Sequence, residues 1–129
     1  MTEPTPTGGE LNEAIARAVV RGHTRIVGRG PTTAQAFYRH NIVVVVMSDT
    51  LTQGERSLLA DGRHDSVRRL RCEFQQAMRD DVVRDVELLT GGKVVAFLST
   101  THLEPDVSAE LFVLDRPVSG DTAPSGPTA

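Results

Sequence analysis

Residues 93–115 read KVVAFLSTTHLEPDVSAELFVLD, two strand-like runs around a polar connector that carries Ser99, His102, Glu104, Pro105 and Asp106. In the second run Val107, Ala109, Leu111 and Val113 alternate onto one face while Ser108 and Glu110 point to the other, the two-residue period of a strand with distinct sides. Val94 to Ser99 supplies its partner, so the stretch predicts a hairpin.

Working outward, Gly91 and Gly92 end a long helix expected from about Ser66 to Leu89, whose apolar stripe is Val67, Leu70, Phe74, Ala77, Met78, Val82, Val86 and Leu89. Before it, Thr52 and Glu55 have the spacing of a capping box, so a short helix over Gln53 to Ala60 follows, anchored by Leu58 and Leu59 and closed by Asp61 and Gly62. Upstream, Ala34 to Tyr38 and Ile42 to Ser48 flank Arg39, His40 and Asn41, where Asn suits the left-handed conformation of a tight hairpin. The run IVVVVM is apolar at successive positions and so belongs to a strand covered on both faces. A first helix begins after a second T-x-x-E, Thr7 to Glu10, carries Leu11, Ile15, Ala18, Val19, Gly22 and Ile26 on one stripe, and stops at Gly28 or Gly30 before Pro31.

The order is therefore α-β-β-α-α-β-β. Two α-β-β units form a four-stranded, mainly antiparallel sheet packed by helices, an α+β fold. Residues 9–116 make one domain, and the Pro-, Gly-, Ser- and Thr-rich ends, 1–8 and 117–129, read as disordered tails.

Fourteen cations and 17 anions give a net charge of -3, spread along the chain, so no global field draws it to nucleic acid or an anionic membrane. Few aromatics and no Trp weaken nucleic-acid binding further. The single Cys72 can form no internal disulfide, which suits a reducing compartment, and the MTEPTPTGGE start has no basic-then-apolar signal. The chain reads as cytoplasmic. Its longest apolar run, Ile42 to Met47, is far shorter than the roughly 20 residues of a membrane-spanning helix.

Ser99, His102 and Asp106 have the residue types of a nucleophile, a base and an orienting acid, the basis of an alternative reading as a small hydrolase or ligand-binding enzyme. A triad needs geometry that eight residues of sequence do not supply. His102, Glu104 and Asp106 lack the second His or Cys pair of a zinc site, so no metal and no cofactor is expected. Gly28-Arg29-Gly30 follows a helix, the reverse of a phosphate loop, which leaves Arg29 as the residue of that turn able to contact an anion or a partner. Arg29, Ser99, His102, Glu104 and Asp106 are thus the expected contact site, with no catalytic assignment.

With one strand face given to the helices, Phe97, Phe112 and Leu114 are left over, an apolar strip that a second chain would cover. In the long helix Arg63, Arg68, Arg69 and Arg71 lie early and Asp80, Asp81, Asp85 and Glu87 late, so antiparallel packing against its copy would pair opposite charges. Arg71, Asp81 and Asp85 flank the apolar stripe, and with Phe97, Phe112 and Leu114 they define the expected homodimer interface.

Arg29-Gly30-Pro31-Thr32, the strand ending in Asp49, Leu51-Thr52, the helix from Arg71 to Met78 and the stretch Gly92 to Asp115 resemble the MpsC-like family over about residues 10 to 115. The resemblance implies the small soluble component of a sodium-translocating, membrane-potential-generating system associated with inorganic carbon uptake, alongside a membrane subunit and a large soluble subunit. The resemblance adds a membrane-transport subunit as an expected partner; the expectation of a non-enzymatic accessory or interaction protein, with no membrane insertion of its own, rests on the residues read above.

Overall fold

A computed structural model describes residues 8–118. The elements are α1 (Gly8–Val27), β1 (Thr33–Arg39), β2 (Ile42–Ser48), α2 (Gln53–Ala60), α3 (His64–Thr90), β3 (Val94–His102) and β4 (Val107–Leu114). All neighbours in the sheet are antiparallel and their order is β1-β2-β4-β3, so the two hairpins meet through their second strands. The α+β class and the element order expected from the sequence are both present.

Local chemistry fixes the element ends. Thr52 accepts from the Glu55 backbone N–H at 3.1 Å while the Glu55 carboxylate accepts from the Thr52 N–H at 2.9 Å, a complete capping box. Gly91 takes the left-handed conformation that closes α3, and its N–H donates to the Glu87 carbonyl at 3.0 Å. In the first hairpin the residue at positive φ is His40, not Asn41; the Asn41 amide instead donates to the Leu114 carbonyl at 3.1 Å and ties the turn to β4.

Helices cover one face of the sheet. Leu11, Ile15 and Val19 of α1 and Met78, Val82 and Val86 of α3 pack on Ala36, Val43, Val45, Met47, Phe112 and Leu114. Gly22 lets α1 close on α3 rather than on the sheet: a Cβ there would stand 2.5 Å from Val82 Cγ1. A second small core joins α2 to the far end of the sheet through Leu51, Leu59, Val67 and Leu103. Leu70, expected in the α3 stripe, is exposed.

β4 is turned over relative to the sequence expectation. Ser108, Glu110, Phe112 and Leu114 face the helices and are buried, while Val107, Ala109, Leu111 and Val113 face the other way. Phe112 and Leu114 are therefore core residues and are unavailable to a partner chain. Phe97 lies against Phe112, ring centroids 4.9 Å apart, on the same covered side.

Of the expected tails, 1–7 and 119–129 lie outside the described residues, as does the Thr7 half of the first capping box. Gly8 opens α1, and Val118 is buried in the main core with its N–H donating to the His40 carbonyl at 2.7 Å. Packing thus continues two residues past the expected boundary at 116, through the apolar side chain of Val118 and its backbone bond to the first hairpin turn.

Candidate functional site

One end of the sheet gathers the polar residues of four separate segments. Asp49, at positive φ directly after β2, accepts from the Thr32 hydroxyl and from the Arg29 guanidinium, 3.1 Å to Oδ2, and is also paired with Arg56 of α2. The Thr32 hydrogen bond first, and Arg29 after it, hold the Asp49 carboxyl below its ordinary value. Arg29 also donates to the Leu51 carbonyl. Across the β2–β4 end, Asp106 accepts from the Thr50 hydroxyl at 3.0 Å, the Leu51 N–H at 2.9 Å and Arg56 at 3.3 Å. The turn before β1, the end of β2, the start of α2 and the β3–β4 turn are clamped together by two carboxylates and two guanidinium groups.

Beneath this rim lies a second, buried layer. Arg71 of α3 donates to Thr50 Oγ1 at 2.6 Å and pairs with Glu55 at 3.4 Å, with side-chain exposures of 5% and 0%. Thr50 also touches Ser108, 3.1 Å between hydroxyl oxygens, and Ser108 touches Thr101 at 3.2 Å. An ion pair this deep stays favourable only when its remaining polar atoms are met, and here Glu55 Oε2 has no partner. His23 of α1 is buried nearby with neither ring nitrogen in a hydrogen bond, and burial, then the Arg71 charge, lowers its pKa to about 4. Glu110 faces the helices from β4, and burial pushes it up to about 7, opposed in part by the neighbouring Ser99 hydroxyl and by Arg71. Neither Ser99 Oγ nor Glu110 Oε2 makes a hydrogen bond of ordinary geometry.

The expected contact residues divide among three places. Arg29 and Asp106 do come together, linked through Asp49 and Arg56. Ser99 and His102 lie on β3, not in a loop, because the strand runs on to His102 and leaves only 103–106 as the turn. Three residues apart on a strand, they point to opposite faces. His102 Nδ1 contacts the Pro105 carbonyl at 2.8 Å, and Glu104 stands 3.9 Å from His64. Asp106 is committed to Thr50, Leu51 and Arg56 rather than to His102, so these three residue types are not arranged as a nucleophile, base and orienting acid. Among the described residues no three His, Cys, Asp or Glu side chains converge as metal ligands would.

Of the residues expected at a dimer interface, Arg71, Phe112 and Leu114 are interior, and Asp81 is engaged by Arg25 of α1 and Arg84. Asp85 remains at the α1–α3 groove. The reading from sequence missed Asp49, Thr50, Glu55, Arg56, His23 and Glu110 as polar partners. Asp49 carried a usable signal, an acid directly after a strand that returns to the RGPT turn; the sharing of Glu55 between its cap and Arg71 carried none.

No helix among the described residues is long and apolar enough to cross a membrane. Comparison with known proteins gives no match among curated proteins and none among solved structures. One family model does match, described as the Na+-translocating membrane potential-generating system (MpsC), over residues 7–116, the span that holds the sheet, the clamp and all of the core but Val118. The chain belongs to the MpsC family.

Proposed function

We propose that this chain is a non-enzymatic, cytoplasmic accessory protein that docks another subunit of a membrane ion or inorganic-carbon transport system on the open face of its sheet. The observation that carries the reading is the composition of that face. Phe37, Ile42, Val44, Leu98, Leu111 and Val113 stand on it side by side through the pairs Phe37–Val44, Ile42–Val113, Val44–Leu111 and Leu98–Leu111, and no helix among the described residues covers them. Phe37 and Leu98 are 54% and 58% exposed. A continuous apolar strip of this kind marks an interaction surface in a chain otherwise well supplied with charge.

The polar end suits the same role. Its charges are matched in pairs and hold the β3–β4 turn rigid, which presents Arg29, His102 and Glu104 as fixed rim contacts around the apolar face. The hydrolase reading gains nothing from Ser99 and His102 on opposite faces of β3. Co-expression with the membrane and large soluble subunits of the system tests the proposal: the wild-type chain is captured, and Leu98→Asp with Leu111→Asp abolishes capture. Equal capture of that variant defeats the docking surface. Turnover of an ester or phosphate substrate that His102→Ala removes would defeat the non-enzymatic reading.

A further inference from the structure

The two edges of the sheet are built differently. β3 carries a register shift between Val94 and Ala96 and is preceded by Lys93, features that discourage another strand from pairing with it. β1 has neither. Its register with β2 runs unbroken from Thr33 to Arg39, and within TAQAFYR the only charge is the terminal Arg39. Among the described residues no strand pairs with its outer row of backbone donors and acceptors, which can extend the sheet.

Beside that edge a groove of about 750 Å³ runs between β1 and α1, floored by Ala16, Val20, Ala34 and Ala36, with Phe37 at its outer margin. Asn12, Glu13, Arg17 and Arg21 form its helical rim. Asn12 Oδ1 is buried there without a hydrogen-bond partner. Along the rim the acid comes first and the two bases follow, separated by the small Ala16. A helix charged in this way is complementary to itself when reversed.

We propose that β1 and α1 form a homodimer interface with a second copy of this chain, related by a two-fold axis passing beside Ala16 and Gln35. β1 pairs antiparallel with β1 of the partner subunit, giving one eight-stranded sheet, and α1 packs antiparallel on its copy. Glu13 then faces Arg17 and Arg21 of the partner subunit, twice over by symmetry. Phe37 is covered at the join. The dimer so built leaves Ile42, Leu98, Leu111 and Val113 open and doubles the docking face; it rests on the reading of the chain as an interaction protein and moves the expected homodimer contact away from Phe112, Leu114 and α3.

Two charge variants test it on the purified full chain. Arg17→Glu with Arg21→Glu makes the rim wholly acidic, and Glu13→Arg makes it wholly basic. By sedimentation across the micromolar range each alone dissociates at least about tenfold more readily than the wild type, from like charges set opposite one another. Mixed together they form a heterodimer, visible by native mass spectrometry, which intrahelical effects cannot produce. Amides of Thr33 to Arg39 gain exchange protection as wild-type concentration rises. A wild-type chain that stays monomeric, charge variants that dimerise as well as the wild type, or a mixture that does not associate overturns the proposal. So does a dimer that Leu98→Asp destroys while the rim variants spare it. Subunit capture is read separately: a monomeric rim variant that still captures the transport subunit refutes neither the docking face nor the accessory role.

Discussion

The two faces of the sheet reverse the usual distribution of polarity. The covered face holds Ser108 and Glu110, with His23, Glu55 and Arg71 beside them among the helices, while the uncovered face presents Phe37, Ile42, Leu98, Leu111 and Val113. Polar groups in a packed interior cost stability unless matched, and apolar groups in water leave burial energy unused. On the proposed reading, what this sheet gives up in stability it gains as a surface for a partner. Each face makes a distinct demand under mutation, and five substitutions separate them.

The largest effect belongs to the covered face. Phe112→Ala removes a fully buried ring stacked on Phe97 beneath α1 and α3 and should cost about 4 kcal/mol in urea unfolding. A loss below about 1 kcal/mol would mean that Phe112 is not in the core. Next is Arg71→Met, which removes the one guanidinium paired with Glu55, leaves that buried carboxylate only the Thr52 N–H, and should cost about 3 kcal/mol. Adding Glu55→Gln should return part of that loss, since the uncompensated charge is then gone; a double variant worse than the sum of the singles would deny that the pair acts as a pair.

That division of the faces was only half legible in the sequence. Alternation in β4 announced two sides, and the elements fell where period and caps put them, because strand period and capping are local properties. Which side meets the helices is not local. Val107, Ala109, Leu111 and Val113 make the more apolar set, yet β2 is apolar at consecutive positions and gives no vote, so the choice is made by where Val43, Val45 and Met47 meet Ile15 and Val82. The polar clamp was legible in part for a similar reason. Arg29 and Asp106 stood out as turn residues, but their meeting through Asp49 and Arg56 needs one contact 20 residues apart in the chain and another 50 apart.

Titration sharpens the contrast. Folded Glu110 keeps its proton up to about 7 whereas the unfolded chain releases it near 4.5, so the folded state binds more protons across that window and stability falls as pH rises through it. His23 has the opposite sign: held neutral down to about 4 against an ordinary 6.5, it lets stability fall as pH drops through that window. The two slopes oppose each other where the windows overlap. Glu110→Gln should therefore stabilise the protein at pH 8, by about 2 kcal/mol once its amide's own need for partners is counted against a ceiling of about 3 kcal/mol. It should also unmask the His23 slope, so that acidification from neutral pH costs more stability than in the wild type. Denaturant midpoints at three pH values decide it, and an unchanged profile would show that Glu110 is ionised at no cost.

The smallest effect on the fold should come from the open face, at a position that the proposed docking makes central. Leu98 is 58% exposed, and its register partner Leu111 belongs to the same uncovered side, so Leu98→Asp gives up little burial and creates no unpaired charge away from water. Its unfolding free energy should change by no more than about 0.5 kcal/mol, the usual range for a surface site. Two outcomes carry information. A loss of several kcal/mol would mean that the face is already covered within a single chain or by its copy, and the surface would then be an interior. Unchanged stability with lost subunit capture would separate what holds this protein together from what it holds.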